Sequence, residues 1–187
     1  MSRIVYSHDH PDRFIVGTVG VPGEREFFIQ VSSPIGVTTI GVEKTQVAAL
    51  VERFQLLLRE LRKQNLVTDG QLLGNPISQS GEMIYPIEED FRAGVIGIHW
   101  ERDRSRVLVE FQEYAEDVLD SILSDEEVDE RELVPDLLRV FLEIPMVRGF
   151  MKLAENVISA GRQPCLFCGL PINIDGHLCP RANGYKR

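Results

Sequence analysis

Between residues 43 and 63 the hydrophobic pattern of the chain changes period. Val47, Leu50, Val51, Phe54, Leu57, Leu58 and Leu61 recur at steps of three and four, with Glu52, Arg53, Arg59, Glu60, Arg62 and Lys63 between them. That spacing puts the apolar side chains on one face of a helix and most of the charges on the other. Before it stand four short runs rich in β-branched and aromatic residues, at 4–6, 14–20, 25–31 and 37–42. The links between them are too short for crossover helices, so an antiparallel meander is expected, with the helix lying across it.

The second half of the chain echoes the first. Residues 91–98 match residues 14–21 in their Phe-x-x-Gly and in a second glycine, 106–111 resembles the strand at 25–31, and 137–142 supplies another strand. Pro145 suits the first turn of a helix running to about residue 160, with Met146, Phe150, Leu153, Val157 and Ile158 inward. Residues 65–79 are rich in Asn, Gly, Gln, Pro and Ser and read as connecting loop. The expected class is α+β: antiparallel sheet with two packed helices, arranged as strand-strand-strand-helix repeats at 1–64 and 82–161 joined by a loop at 65–81. Residues 1–163 then form the main domain and 164–187 a tail.

The tail holds all three cysteines of the chain, Cys165, Cys168 and Cys179, with His177 between the second and third. Two thiolates two residues apart, answered by an imidazole and a third thiolate, form the three-cysteine, one-histidine set that a tetrahedral zinc ion takes. Gly169 stands where the backbone must bend after the second sulfur. A redox pair would want a helix starting at the motif, which Gly169 and Pro171 oppose, and a disulfide would leave one cysteine over. Four protein ligands fill the coordination sphere, so the expected zinc is structural and activates no water. The expected tail is zinc-ribbon-like.

Charge narrows the partners. A formal net charge of -9 opposes general nucleic-acid binding, which depends on clustered Lys and Arg. The C-terminal end is locally basic, and Arg181, Asn183, Tyr185, Lys186 and Arg187 offer an interaction surface beside the zinc. A protein partner is therefore favoured over nucleic acid. Residues 112–136 carry eleven acids against Arg131 alone, which reads as a short helix from 114 to 123 followed by a solvated, self-repelling loop. It lacks the spaced ligands and central glycine of a calcium loop. No apolar run approaches the length of a membrane span, and the first residues do not begin a signal peptide, so a cytoplasmic location is expected.

No catalytic set is identified. Gly17-Thr18-Val19-Gly20 is followed by no Gly-Lys-Ser/Thr, no serine lies in a Gly-x-Ser-x-Gly elbow, and Gln112 stands where a nuclease pairing Asp103 with Glu110 would want lysine. Ser7-His8-Asp9-His10-Pro11-Asp12 has the look of metal ligands but reads more simply as a turn with solvated side chains. Two functions follow. One is an accessory or interaction protein with structural zinc. The other is a hydrolase or nucleotide-handling enzyme whose site lies between the repeats, where Arg25, Glu43, Lys44, Arg92, His99 and Glu110 would converge.

Over nearly its whole length the chain resembles an uncharacterised bacterial family, largely actinobacterial, known as a domain of unknown function, whose members end in a similar tail. The residues carrying the resemblance are Cys165, Cys168, Gly169, Gly176, His177, Cys179, Pro180, Arg181, Asn183, Gly184 and Tyr185. Asp12-Arg13-Phe14, Gly17-Thr18-Val19-Gly20, Pro22-Gly23-Glu24-Arg25 and Glu43-Lys44 are similar to family features as well. The resemblance implies the zinc-binding tail and brings no assigned activity.

Overall fold

The computed structural model describes residues 3–21, 23–115, 134–161, 165–170, 172 and 176–181. Four strands come first, β1 (Val5–His8), β2 (Arg13–Val19), β3 (Glu26–Ser33) and β4 (Gly36–Val42), then helix α1 (Lys44–Lys63). A short helix α2 (Asp69–Leu73) leads to β5 (Phe91–Glu101), β6 (Arg106–Glu113), β7 (Leu137–Leu142) and α3 (Ile144–Ser159). Every strand and both long helices expected from the sequence form within a few residues of their expected ends. The stretch read as loop after α1 contains α2, started by Thr68, whose hydroxyl accepts from the Gln71 N–H at 3.3 Å.

All seven strands join one sheet in the order β1-β7-β6-β5-β4-β3-β2. The fold is α+β, as expected, but the sheet is mixed. β2 to β4 and β5 to β7 are antiparallel meanders, while β4 pairs with β5 and β1 with β7 in parallel. β4 and β5 run parallel because residues 43–90 are long enough to carry the chain back to the end where β4 began. β1 and β7 are not consecutive and meet only through the strand order of the whole sheet. An antiparallel expectation based on local links does not see them.

β1 and β2 lie at opposite ends of this order, yet only residues 9–12 separate them. Seven strands spaced about 4.8 Å apart would hold the outer two about 29 Å apart in a flat sheet. Five Cα steps reach at most about 18 Å. The sheet therefore curls. The curl brings β1 to the β3–β4 hairpin, where His8 Nδ1 lies 2.8 Å from Ser33 Oγ and Nε2 lies 2.9 Å from Thr38 Oγ1. His8, read from the sequence as part of a solvated turn, is thus a strand residue that is 2% exposed.

Inside the curl, Phe14 of β2 stacks on Phe150 of α3 at 4.5 Å, and Phe54 of α1 meets the same ring edge-on at 6.0 Å. Both helices thus meet the sheet at one aromatic cluster. The stripe on α1 is buried as its spacing predicts, with Leu57 only partly so. On α3 the buried face is Ile144, Met146, Val147, Phe150 and Ala154, while Leu153, Val157 and Ile158 are partly buried.

Each long helix starts one residue after a strand, with Glu43 or Glu143 as its N-cap. Glu43 N–H donates to Gln46 Oε1 at 2.7 Å, and Gln46 Nε2 donates to the carbonyls of Ala93 and Gly94 at 2.9 and 3.1 Å. One glutamine thereby ties the start of α1 to the irregularity in β5 between Ala93 and Val95. Strand pairing offers a different correspondence between the halves from the sequence echo. Aligning the two N-caps sets Thr39 against Arg139, and their cross-strand partners Gln30 and Glu110 follow. Ile15 then corresponds to Gly97, five residues from the Phe14 and Phe91 match.

Residues 77–90 form a strap over the outer face of β2, β3 and β4. The buried side chain of Gln30 acts as a strand partner for it, accepting from the Ile84 N–H at 2.7 Å and donating to the Ile84 carbonyl at 3.1 Å. Asp90 closes its end on Thr39 through its own N–H and its carboxylate, each at 2.8 Å. Beneath the strap Ile15 and Phe28 are buried. At its other end the Ile77 N–H donates to the Pro145 carbonyl at 3.0 Å, and the Ile77 carbonyl rests against Gly149 of α3.

Candidate metal centre

The cysteine tail turns as its glycines require. Gly169 has φ +76° and Gly176 φ +85°, a region most side chains avoid. The turn at Gly169 is pinned by backbone bonds, Cys165 N–H to the Leu170 carbonyl at 2.7 Å and Gly169 N–H to the Cys165 carbonyl at 2.8 Å. Arg181 Nη1 donates to the Phe167 carbonyl at 3.2 Å, which ties the second ligand pair back to the first.

These turns bring Cys165, Cys168, His177 and Cys179 together, with one ligand atom of each within 4.8 Å of all the others. Cys165 Sγ lies 3.7 Å from Cys179 Sγ, and Cys168 Sγ lies 3.2 Å from His177 Nε2. Ligand atoms about 2.3 Å from one tetrahedral ion stand about 3.8 Å apart. The set fits a metal ion in number, in spacing and in the softness of its donors. Backbone N–H groups of Cys168 and Phe167 hold the Cys165 thiol below the ordinary cysteine range. Desolvation pushes the Cys168 thiol up. A bound cation would favour the thiolate at both.

Around the ligands the tail has no apolar core among its described residues. Cys165 and Cys179 are buried, whereas Leu166 is 97% and Leu178 85% exposed, with Phe167 and Leu170 also in solvent. Apolar residues that would ordinarily hold so short a segment together face outward. What the described tail buries are two of its ligands, Cys165 and Cys179, while Cys168 and His177 are half-buried.

The six side chains read as a second site separate into three groups. Glu43 pairs with Arg92 at 3.4 Å, and Glu89 takes the other side of that guanidinium at 3.1 Å. Arg25 and Lys44 line a cavity of ≈ 210 Å³ at the end of α3, where Arg25 donates to the Ala160 carbonyl at 2.9 Å. Glu110 accepts from Arg139 at 2.8 Å and lies 3.8 Å from His99. No hydrogen bond or ion pair joins the three groups among the described residues. Of the C-terminal interaction surface, Arg181 is described. Asn183, Tyr185, Lys186 and Arg187 lie outside the described residues, as does most of the acidic insert.

An α+β domain with a C-terminal set of three cysteines and one histidine able to hold a metal ion is the class that fold and site define. The chain belongs to the family of proteins of unknown function DUF3090, whose family model matches residues 6–179, a span that takes in all four ligands. No curated protein and no solved structure matches it. No described helix is long and apolar enough to cross a membrane.

Proposed function

We propose that this is a zinc-binding accessory or interaction protein of the cytoplasm. The zinc is structural, held by Cys165, Cys168, His177 and Cys179, and the tail at 164–187 is a unit folded by it beside the two repeats at 1–64 and 82–161. The observation that carries this reading is the burial pattern of the tail, with Cys165 and Cys179 buried, Cys168 and His177 half-buried, and Leu166, Phe167 and Leu178 outside. Four protein ligands leave no open position for catalysis. Exposed apolar side chains on a turn held by metal have no stabilising use within the tail itself, and suit contact with a protein partner. The basic residues that follow in the sequence, Arg181, Lys186 and Arg187, keep nucleic acid as the lesser reading, against a net charge of -9.

The enzyme reading has weaker support, because its six residues fall into three groups. The test compares the intact chain with Phe167→Ser and Leu178→Ser in affinity capture, with zinc measured on each sample. The expected result is one zinc per chain throughout and loss of the captured protein from both variants. Capture unchanged in both variants, with zinc present, would overturn the interaction reading.

A further inference from the structure

A groove of ≈ 390 Å³ lies where α1, α2 and α3 meet, and it shares no residue with the metal centre. Its floor is Leu58 of α1, Leu72 of α2 and Met151 of α3, and its rim carries Gln55, Arg59, Arg62, Leu73 and Arg148. Two of the guanidiniums are fixed in place. Arg62 is held by Asp69 at 3.1 Å, and Arg148 donates to the carbonyls of Gln71, at 3.3 Å, and of Gly74. Arg59 makes no ion pair among the described residues. Leu73 stands 69% exposed over a floor made of its own kind of side chain.

We propose that this groove binds a medium-chain aliphatic monocarboxylate, with its tail on the leucine and methionine floor and its carboxylate on Arg59. The rim selects an anion, since three arginines and no carboxylate line it, with Asp69 taken up by Arg62 and Glu155 by Gln55. A guanidinium meets a carboxylate through two parallel hydrogen bonds. The floor selects an aliphatic body, since no aromatic ring offers a nucleobase a stacking platform. Size selects a small molecule. The volume lies near the low end of the roughly 300–1,000 Å³ of ligand cavities, too little for a helix about 10 Å across. Leu73, on a five-residue helix, is placed to fold over such a tail and leave water.

Calorimetric titration of the full-length, zinc-loaded protein tests this with decanoate, decanol, butyrate and a tripeptide ending in leucine. Decanoate is expected to bind at least about tenfold more tightly than the other three. Arg59→Gln and Leu73→Ser, both at exposed positions, should each weaken decanoate by about fivefold or more with an unchanged melting temperature. The proposal is overturned if decanol matches decanoate, which would make the groove merely greasy, or if butyrate does, which would make it a plain anion site. Tighter binding of the tripeptide would assign it to peptide C-termini instead. Variants that bind decanoate like the parent protein would also overturn it.

Discussion

His8 Nε2 lies 2.9 Å from Thr38 Oγ1, a contact between the first strand in the sheet order and a hairpin near its far side. Burial lowers the His8 pKa, so the folded protein holds the ring neutral where the unfolded chain protonates it. The unfolded state binds more protons below the ordinary histidine value of about 6.5, so stability falls as pH drops through that value toward the folded pKa. Melting temperature is expected to decline from pH 7.5 to 5.5, and less steeply in His8→Gln. Equal slopes for the two proteins would remove His8 as the cause.

Gly149 faces the Ile77 carbonyl so closely that an added Cβ would overlap it. In an exposed helix glycine to alanine gains about 1 kcal/mol. Here the obstacle is backbone, which cannot rotate away as a side chain would, and overpacking costs about 1–3 kcal/mol. Gly149→Ala is therefore expected to destabilise in urea melts and to loosen the strap. A stabilised variant would show that strap and helix part easily.

The strap itself depends on Gln30. Replacing that side chain with leucine keeps its bulk and removes both bonds to Ile84, at a cost of about 1–3 kcal/mol for the groups left unpaired. Hydrogen exchange at the Ile84 amide should quicken by at least about tenfold while amides in β6 and β7 stay protected. Unchanged protection at Ile84 would mean the strap is held by other contacts.

Cobalt titration reads the tail directly. The intact chain should take up one ion with thiolate-to-cobalt charge-transfer absorption, and Cys179→Ser should weaken uptake by at least about a hundredfold. The aromatic cluster of the main domain contains none of the four ligands, so urea stability of that domain should hardly change. Full-strength absorption from Cys179→Ser would exclude that residue from the set.

The helix at 44–63 was readable because its apolar residues keep one period over twenty positions, and burial against a sheet rewards nothing else. The ligands were readable because soft donors at close spacing have few other uses. His8 was not. Its neighbours Asp9 and His10 are polar and exposed, and only the curl of the sheet, a property of the whole strand order, brings Ser33 and Thr38 to its ring. The parallel β4–β5 pair was hidden for a related reason, since it joins strands separated by α1 and the strap. Gln30 and Glu110 occupy matching places in the two meanders, but one holds a strap and the other holds Arg139, a difference no local pattern announces. Arg59 and Arg62 read from the sequence as charges on the polar face of α1, and the groove they share with Arg148 depends on how α1 and α3 meet.

The brevity of the link at 9–12 has a consequence for how copies of this protein could entangle. β1 covers the open side of β7 yet is tethered to the rest by four residues. Straightening that tether would let one molecule's first strand complete another's sheet, a reciprocal strand exchange that keeps the β1–β7 pairing. Inserting residues into the tether would relax the molecule onto its own β7, and shortening it would favour the exchanged pair.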